Sequence, residues 1–153
     1  MRVDFDFARE FFHNQVLFTS LAAWAIAQTT KVALGVIREK KFNFKWFVGT
    51  GGMPSSHVAG MMALATSVGF VCGFDSYQFA IAFVVALIVM FDAQGVRRAS
   101  GRQAVILNRM IDDIYLKKKI EEKKVIEFLG HTPVEVFAGA IMGVLVAIIS
   151  FKI

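Results

Sequence analysis

The chain is poor in cysteine, proline and charged residues. Among 153 residues it has one cysteine and two prolines, and charged residues make up 19% of the total. The single Cys72 excludes an intramolecular disulfide, and its position inside an apolar stretch predicts a packing role. Apolar residues dominate instead: 56% are hydrophobic and 16 are Phe, with a mean hydropathy of +0.58. Such a composition predicts one integral membrane domain over residues 1–153.

Four apolar stretches predict membrane-spanning helices, at residues 16–37, 55–74, 79–91 and 133–151. About 20 helical residues cross the hydrocarbon core of a bilayer, so the third stretch is short unless its helix extends through Asp92. A signal peptide is a second interpretation of the first stretch, because Ala25-Ile-Ala27 resembles a cleavage site. The acidic residues ahead of it argue against that interpretation, since leaders are usually positive.

Most of the basic residues fall in two segments, 38–53 and 93–130. If the four stretches alternate in direction, both segments lie on one side of the membrane, which we call the basic face. Because loops rich in Lys and Arg stay in the cytoplasm, we expect a bacterial-type inner membrane protein with a cytoplasmic basic face. The net charge of +5 therefore follows from topology, and no nucleic-acid partner is predicted.

Residues 103–128 have apolar side chains at roughly helical spacing and predict an interfacial amphipathic segment. Asp112 and Asp113 diverge by about 100° around a helix, which predicts a solvated face and no metal site. The expected fold is thus all-α, a polytopic membrane helix bundle with about four membrane-spanning helices and this interfacial segment. Within it, the small-xxx-small pair Gly139 and Gly143 predicts close helix packing inside the chain in preference to a dimer contact.

Two histidines stand at the start of apolar stretches in the same way. His57 follows Pro54 and Ser55, and His131 is followed closely by Pro133. A proline close to a serine or threonine marks a helix N-terminus, where unpaired N–H groups and partial positive charge attract anions. An imidazole titrates near neutral pH and serves as a nucleophile or a proton donor. One histidine at each of two such helix ends predicts a phosphate site.

Glu135 has two compatible interpretations. The sequence from Thr132 to Glu135 matches a capping box, in which the glutamate only caps the N-terminus of the helix. Glu135 also follows His131 by four residues, near enough on a first turn to accept a hydrogen bond from the imidazole and fix its tautomer.

Cations and small polar residues complete the predicted site. Lys31 and Arg38 fall on one helix face near the basic face, although snorkelling to the headgroups is an alternative role for Lys31. Ser55 and Ser56 can cap a helix and offer hydrogen-bond donors to an anion.

In order along the chain, these residues resemble the three motifs of the type 2 phosphatidic acid phosphatase superfamily, which also includes bacterial acid phosphatases and vanadium haloperoxidases. The family motifs are Lys-x6-Arg-Pro, Pro-Ser-Gly-His and Ser-Arg-x5-His-x3-Asp. The matching residues are Lys31 and Arg38, then Pro54, Ser55 and His57, and finally His131 and Glu135. The chain is most similar to the small divergent membrane branch, from about Gln28 onward.

The resemblance implies that His131 attacks phosphorus and forms a phosphohistidine, that Glu135 orients it, and that His57 protonates the leaving oxygen, with no metal or other cofactor. The phosphate-binding residues it implies are Lys31, Arg38, Ser55 and Ser56. Where the third motif has Ser-Arg, this chain has Lys124 and Val125. Arg97, Arg98 or Arg102 is a candidate replacement, with ordinary loop charge as the alternative.

The sequence therefore predicts a membrane-bound, metal-independent phosphatase that hydrolyses a lipid or isoprenoid phosphate. A non-catalytic membrane protein that binds phospholipid headgroups or isoprenoid phosphates is the alternative, favoured by the missing arginine. A transporter would need polar residues inside the membrane, so the wholly apolar third stretch argues against one. A peroxidase is suggested only by analogy with other members of the superfamily. The oligomeric state is left open.

Overall fold

The computed structural model describes residues 6–40, 52–95, 103–108, 110–111 and 131–152. In these ranges every regular element is a helix, which confirms the all-α prediction. The main helices are α1 (Phe7–Phe12), α2 (Gln15–Glu39), α3 (Ser56–Cys72), α4 (Tyr77–Gln94) and α5 (Pro133–Lys152).

The four longest helices coincide with the four predicted membrane-spanning stretches. α2, α4 and α5 have 25, 18 and 20 residues and are long and apolar enough to cross a membrane, while α3 is a shorter apolar helix of 17 residues. The third stretch is not short, because its helix continues through Asp92 to Gln94. α3 ends instead at Gly73, whose φ of 93° suits glycine and stops the helix.

Polar side chains define where two of these helices begin. The Asn14 side chain accepts a hydrogen bond from the Leu17 N–H (3.0 Å) at the start of α2. Ser76 Oγ accepts from the Phe79 N–H (3.1 Å) at the start of α4. Both are N-cap contacts that satisfy backbone donors with no acceptor inside the helix.

α3 is the central helix and packs against α2, α4 and α5. The glycines of α5 let it approach α3 closely: a Cβ on Gly139 would lie 2.5 Å from the Ser55 carbonyl oxygen, and one on Gly143 would overlap the Ala59 carbonyl. The predicted packing role of these two glycines inside the chain is confirmed. On its other side α3 meets α2, where Ser20 Oγ donates to the Gly60 carbonyl (2.9 Å).

The four long helices alternate in direction along the chain, so their ends meet at two ends of the bundle, and α3 and α5 pack in parallel. At one end Gln15 Nε2 of α2 donates to the Ser150 carbonyl of α5 (2.9 Å). At the other, the Ser55 N–H donates to the Glu135 carbonyl (3.0 Å) and the His131 N–H donates to the Ala93 carbonyl (3.1 Å). The starts of α3 and α5 and the end of α4 therefore lie together, as predicted.

Part of the predicted amphipathic segment is described, and it is helical at residues 103–108 and 110–111. Ala104 and Asn108, one turn apart, are buried, whereas Ile106 and Met110 are about half exposed. The buried side chains of this segment are small or polar and the exposed ones are apolar, which is compatible with the predicted interfacial position. Residues 112–128, including the predicted solvated aspartates, lie outside the described ranges.

Candidate active site

The predicted nucleophile, His131, contacts the carboxylate of Glu135. His131 Nδ1 lies 3.0 Å from Glu135 Oε2, and the imidazole is 1% exposed while the glutamate side chain is 21% exposed. A carboxylate accepts hydrogen bonds but cannot donate one when ionised, so Nδ1 carries the proton in this contact. Because the tautomer is thereby fixed, Nε2 carries the lone pair that a nucleophile needs.

The same carboxylate oxygen caps α5. The Thr132 N–H donates to Glu135 Oε2 (3.0 Å), and the Glu135 N–H donates back to Thr132 Oγ1 (3.4 Å). This is the reciprocal pattern of a capping box. The capping role and the histidine contact therefore coexist, because one oxygen accepts from both residues.

Ser55 links the start of α3 to the start of α5. It is fully buried, and its N–H donates to the Glu135 carbonyl. Its Oγ has no hydrogen-bond partner among the described residues, which is uncommon for a buried hydroxyl. Ser56 is 1% exposed and forms the first turn of α3, where helix geometry leaves N–H groups without an acceptor inside the helix. This end of α3 can therefore hold an anion.

Lys31 reaches the site from α2. It is 7% exposed and its Nζ donates to Gln28 Oε1 (3.2 Å), itself 6% exposed. The aliphatic part of Lys31 passes over Gly52, where a Cβ would lie 3.4 Å from Lys31 Cγ. The Glu135 carboxylate lies near enough to interact electrostatically with Lys31. Burial rules out the snorkelling interpretation, since a snorkelling ammonium would lie in water.

Two predicted site residues are more exposed than His131, Ser55 and Lys31. The His57 side chain is exposed on the first turn of α3, so it is at the correct end of the bundle and open to a ligand. Arg38 is also exposed, about 10 Å beyond Lys31 along α2 by helix rise, and its side chain forms no hydrogen bond or ion pair with another described residue. Arg97 and Arg98 lie outside the described ranges, as does Arg102.

Two residues of the site were not predicted from the sequence as site residues. Gln28 had a visible signal, because it is a polar residue in an apolar stretch and precedes Lys31 by three positions, on the same helix face. Ala93 had none, since it acts through its backbone carbonyl. In the described part of the chain, no group of three or more His, Cys, Asp or Glu side chains is placed to hold a metal ion.

A sequence profile described as the divergent PAP2 family, where PAP2 stands for type 2 phosphatidic acid phosphatase, matches residues 12–146. The chain belongs to the divergent PAP2 family. A relative from Bacillus subtilis (strain 168), called the uncharacterized membrane protein YuiD, is 40% identical over 151 residues, which cover 92% of this chain and 96% of the relative. No solved structure matches the chain significantly.

The divergent PAP2 match includes all the predicted site residues, from Lys31 to Glu135. It agrees with the resemblance drawn from the three motifs, and the relative is likewise a membrane protein. Family membership and membrane association are therefore established.

Proposed function

We propose that this divergent PAP2 protein is a membrane-bound phosphatase that cleaves a lipid or isoprenoid phosphate through a phosphohistidine, without a metal. The observation that carries the proposal is the 3.0 Å contact between His131 Nδ1 and Glu135 Oε2. A buried imidazole held in one tautomer by a carboxylate is the arrangement used to activate a nucleophile or a base. Here it lies beside a helix N-terminus and a buried lysine, both suited to phosphate.

In the first step, the lone pair of His131 Nε2 attacks phosphorus and an N–P bond forms as the P–O bond to the leaving group breaks. Glu135 stabilises the positive charge that develops on the imidazole. His57 donates a proton to the leaving oxygen, so the lipid departs as a neutral alcohol, or as a phosphate monoester if the substrate is a diphosphate. Its exposed position on α3 leaves it accessible to that oxygen.

In the second step, water attacks phosphorus and the N–P bond breaks. His57, now neutral, accepts the proton that the water loses, and His131 regains its lone pair. The products are inorganic phosphate and the enzyme in its starting protonation state. The same residue thus acts first as acid and then as base.

The charge that grows on the phosphoryl oxygens is stabilised by Lys31, the Ser55 hydroxyl and the first turn of α3. The Ser55 hydroxyl is buried without a partner among the described residues, so it can donate to a phosphoryl oxygen without breaking an existing bond. Removing one such preorganised donor typically costs about 10²–10³ in kcat. Arg38, Arg97 and Arg98 are proposed to bind the outer oxygens of the substrate.

The position of the site at one end of the bundle favours a substrate embedded in the membrane. Helix ends lie near the headgroup level of a bilayer, where a lipid phosphate is found. We place this end in the cytoplasm, on the inner membrane of a bacterial-type cell, because most basic residues flank it.

The test is release of inorganic phosphate by the detergent-purified protein in EDTA, from a panel of phosphatidic acids and isoprenoid mono- and diphosphates. We expect turnover by the wild type and a loss of at least about 10³-fold in His131→Ala. His13→Ala is the matched control, because His13 is an exposed histidine at the opposite end of the bundle. Thermal unfolding of each variant checks that the fold is kept.

Full turnover in His131→Ala would contradict the mechanism. Binding of panel lipids by a wild type that turns none of them over would favour the headgroup-binding alternative, for which Lys124 and Val125 in place of the motif's Ser-Arg are the supporting observation.

A further inference from the structure

Gln28 is a buried polar residue within a membrane-spanning helix. It lies on α2, is 6% exposed and stands one turn before Lys31. The other side chains that α2 buries are small or apolar, apart from Thr19 and Lys31. Polar side chains inside a membrane are costly and usually have a function. Packing alone therefore does not explain an amide at this position.

The Gln28 side chain contacts the ammonium group of Lys31. Gln28 Oε1 accepts a hydrogen bond from Lys31 Nζ at 3.2 Å, and the contact is buried. Because a lysine side chain is a flexible four-carbon stem, its ammonium has many positions open to it. A hydrogen bond to a buried amide restricts the ammonium to a few of them.

Two further observations place the Lys31 side chain at the candidate site. Its aliphatic part passes over Gly52, where a Cβ would lie 3.4 Å from Lys31 Cγ and 3.6 Å from Lys31 Cδ, and Gly52 precedes Ser55 by three residues. Lys31 is also within electrostatic range of the Glu135 carboxylate. Gln28 therefore holds an ammonium that lies close to the starts of α3 and α5.

The amide of Gln28 is neutral, and this decides what Lys31 can still bind. A carboxylate at the same place would accept the same hydrogen bond but would neutralise the ammonium, whereas an amide accepts it and adds no charge. Electrostatic attraction is strong where little water is present. The charge that remains on Lys31 is thus available to an anion.

We propose that Gln28 is a positioning residue of the phosphate site, which holds the Lys31 ammonium against the transferred phosphoryl group and leaves its charge for that group. The inference rests on the proposed function, because the phosphoryl group belongs to the proposed substrate. Gln28 acts through Lys31 and not by contact with the substrate.

Gln28→Glu tests the charge separately from the hydrogen bond. Glutamate keeps an oxygen that accepts from Lys31, so thermal stability should be kept, but it neutralises the ammonium. The probe is a phosphonate analogue of phosphatidic acid, which resists hydrolysis, titrated by calorimetry into protein in lipid nanodiscs. We expect its Kd to rise about ten- to a hundredfold, because a hydrogen bond from a charged group contributes that much to affinity.

Gln28→Met removes the hydrogen bond without adding a charge. Methionine has nearly the volume of glutamine, so the ammonium stays charged but is less well placed. Since misplacing a group by about 1 Å can reduce a rate about 10²-fold, we expect kcat for lipid phosphates to fall at least about tenfold. The Kd of the phosphonate should change less than in Gln28→Glu. In a Lys31→Met background, Gln28→Met should have no further effect on binding or turnover.

Gln15 provides the matched control. It lies on the same helix, and its amide also makes a hydrogen bond, to the Ser150 carbonyl at the opposite end of the bundle. Gln15→Glu and Gln15→Met should leave the phosphonate Kd and kcat unchanged. Should Gln28→Glu fail to fold, Gln28→Met and its double variant with Lys31→Met decide the question.

Wild-type phosphonate affinity in a folded Gln28→Glu protein that releases phosphate would overturn the inference and leave the proposed function intact. Weaker binding in Gln28→Glu, when the wild type releases no phosphate, would support the positioning role and contradict catalysis. Losses of binding that merely follow losses of thermal stability, in the Gln28 and Gln15 variants alike, would make Gln28 a purely structural residue and overturn the inference too.

Discussion

At the scale of single residues, Glu135 combines a helix cap and a histidine contact in one oxygen atom. Oε2 accepts from the Thr132 N–H and from His131 Nδ1, both at 3.0 Å. A capping glutamate and a histidine-orienting glutamate are usually discussed as alternatives, but here the cap holds the carboxylate in the position from which it meets the imidazole. The geometry of the site is thus fixed by the first turn of α5.

Glu135→Gln and Thr132→Ala are expected to separate these roles. Glutamine keeps an oxygen that accepts from Thr132 and His131, so stability should change little, but it lacks the charge that stabilises an imidazolium, and turnover should fall by about 10²–10⁴-fold. Thr132→Ala should cost about 0.5–1 kcal/mol of stability, because its side-chain cap is long at 3.4 Å, and should leave turnover close to wild type.

Thermal unfolding and phosphate release of the two variants provide the measurement. If both variants lose stability and turnover in the same proportion, Glu135 acts only as a cap.

At the scale of helices, the contact between α3 and α5 holds the two predicted anion-binding helix ends together. The Ser55 carbonyl lies against Gly139, and the Ala59 carbonyl lies against Gly143 one turn further along. In lipid, where apolar contact with the solvent costs little, such close backbone approach is a main source of helix association. Packing along the first turns of α3 and the first half of α5 therefore determines the spacing of site residues at their ends.

Gly143→Ala should weaken this contact. The added Cβ would overlap backbone atoms of Ala59 and Ala63. Backbone atoms cannot rotate away as a side chain can, so the expected loss of folding stability is about 1–3 kcal/mol. Gly60→Ala on α3 is the matched control, because its Cβ would meet Trp24 Cβ at 3.4 Å, an ordinary contact.

Unfolding in mixed detergent micelles measures both glycine variants. Turnover should decline with stability in Gly143→Ala, since separating the helices moves Ser55 away from Glu135. Equal stability of the two variants would contradict the packing argument.

The sequence predicts contacts within a helix better than contacts between helices. The capping box and the contact between His131 and Glu135 follow from spacing along one turn, and the structure confirms both. The approach of Lys31 to Gly52, and of the Ala93 carbonyl to His131, depends on how helices pack, which no local pattern encodes. The end of the third stretch could not be predicted either, because composition shows only where the apolar residues stop, whereas the helix α4 continues through Asp92.

At the scale of the whole molecule, alternating helix direction brings those predicted site residues that lie in the described ranges to one end of the bundle. This much was predictable, because four apolar stretches joined by loops can only alternate between two sides. The hydrogen bond between Gln15 and Ser150 marks the opposite end. Cys72, at the end of α3, is exposed, so its predicted packing role is wrong. It lies at this opposite end as well, so the chain carries a thiol on the side away from the site.

Thiol labelling should therefore establish the orientation. In right-side-out membrane vesicles, an impermeant maleimide should react with Cys72 of the wild type, because a cytoplasmic basic face places the opposite end outside. Lys40→Cys in a Cys72→Ser background moves the thiol to the end of α2 beside the site, and it should react only after the vesicles are opened. Labelling of the Lys40→Cys variant in sealed vesicles, together with no labelling of Cys72 in the wild type, would reverse the orientation.

The hydrogen bond from the Ser55 N–H to the Glu135 carbonyl ties the N-terminus of α3 to that of α5. Each helix start carries the equivalent of roughly half a positive charge, and the Ala93 carbonyl at the end of α4 accepts from the His131 N–H beside them. An anion at the starts of α3 and α5 would bind only the assembled bundle, so anion binding and helix assembly would be thermodynamically linked. The protein should then be most rigid when this end is occupied.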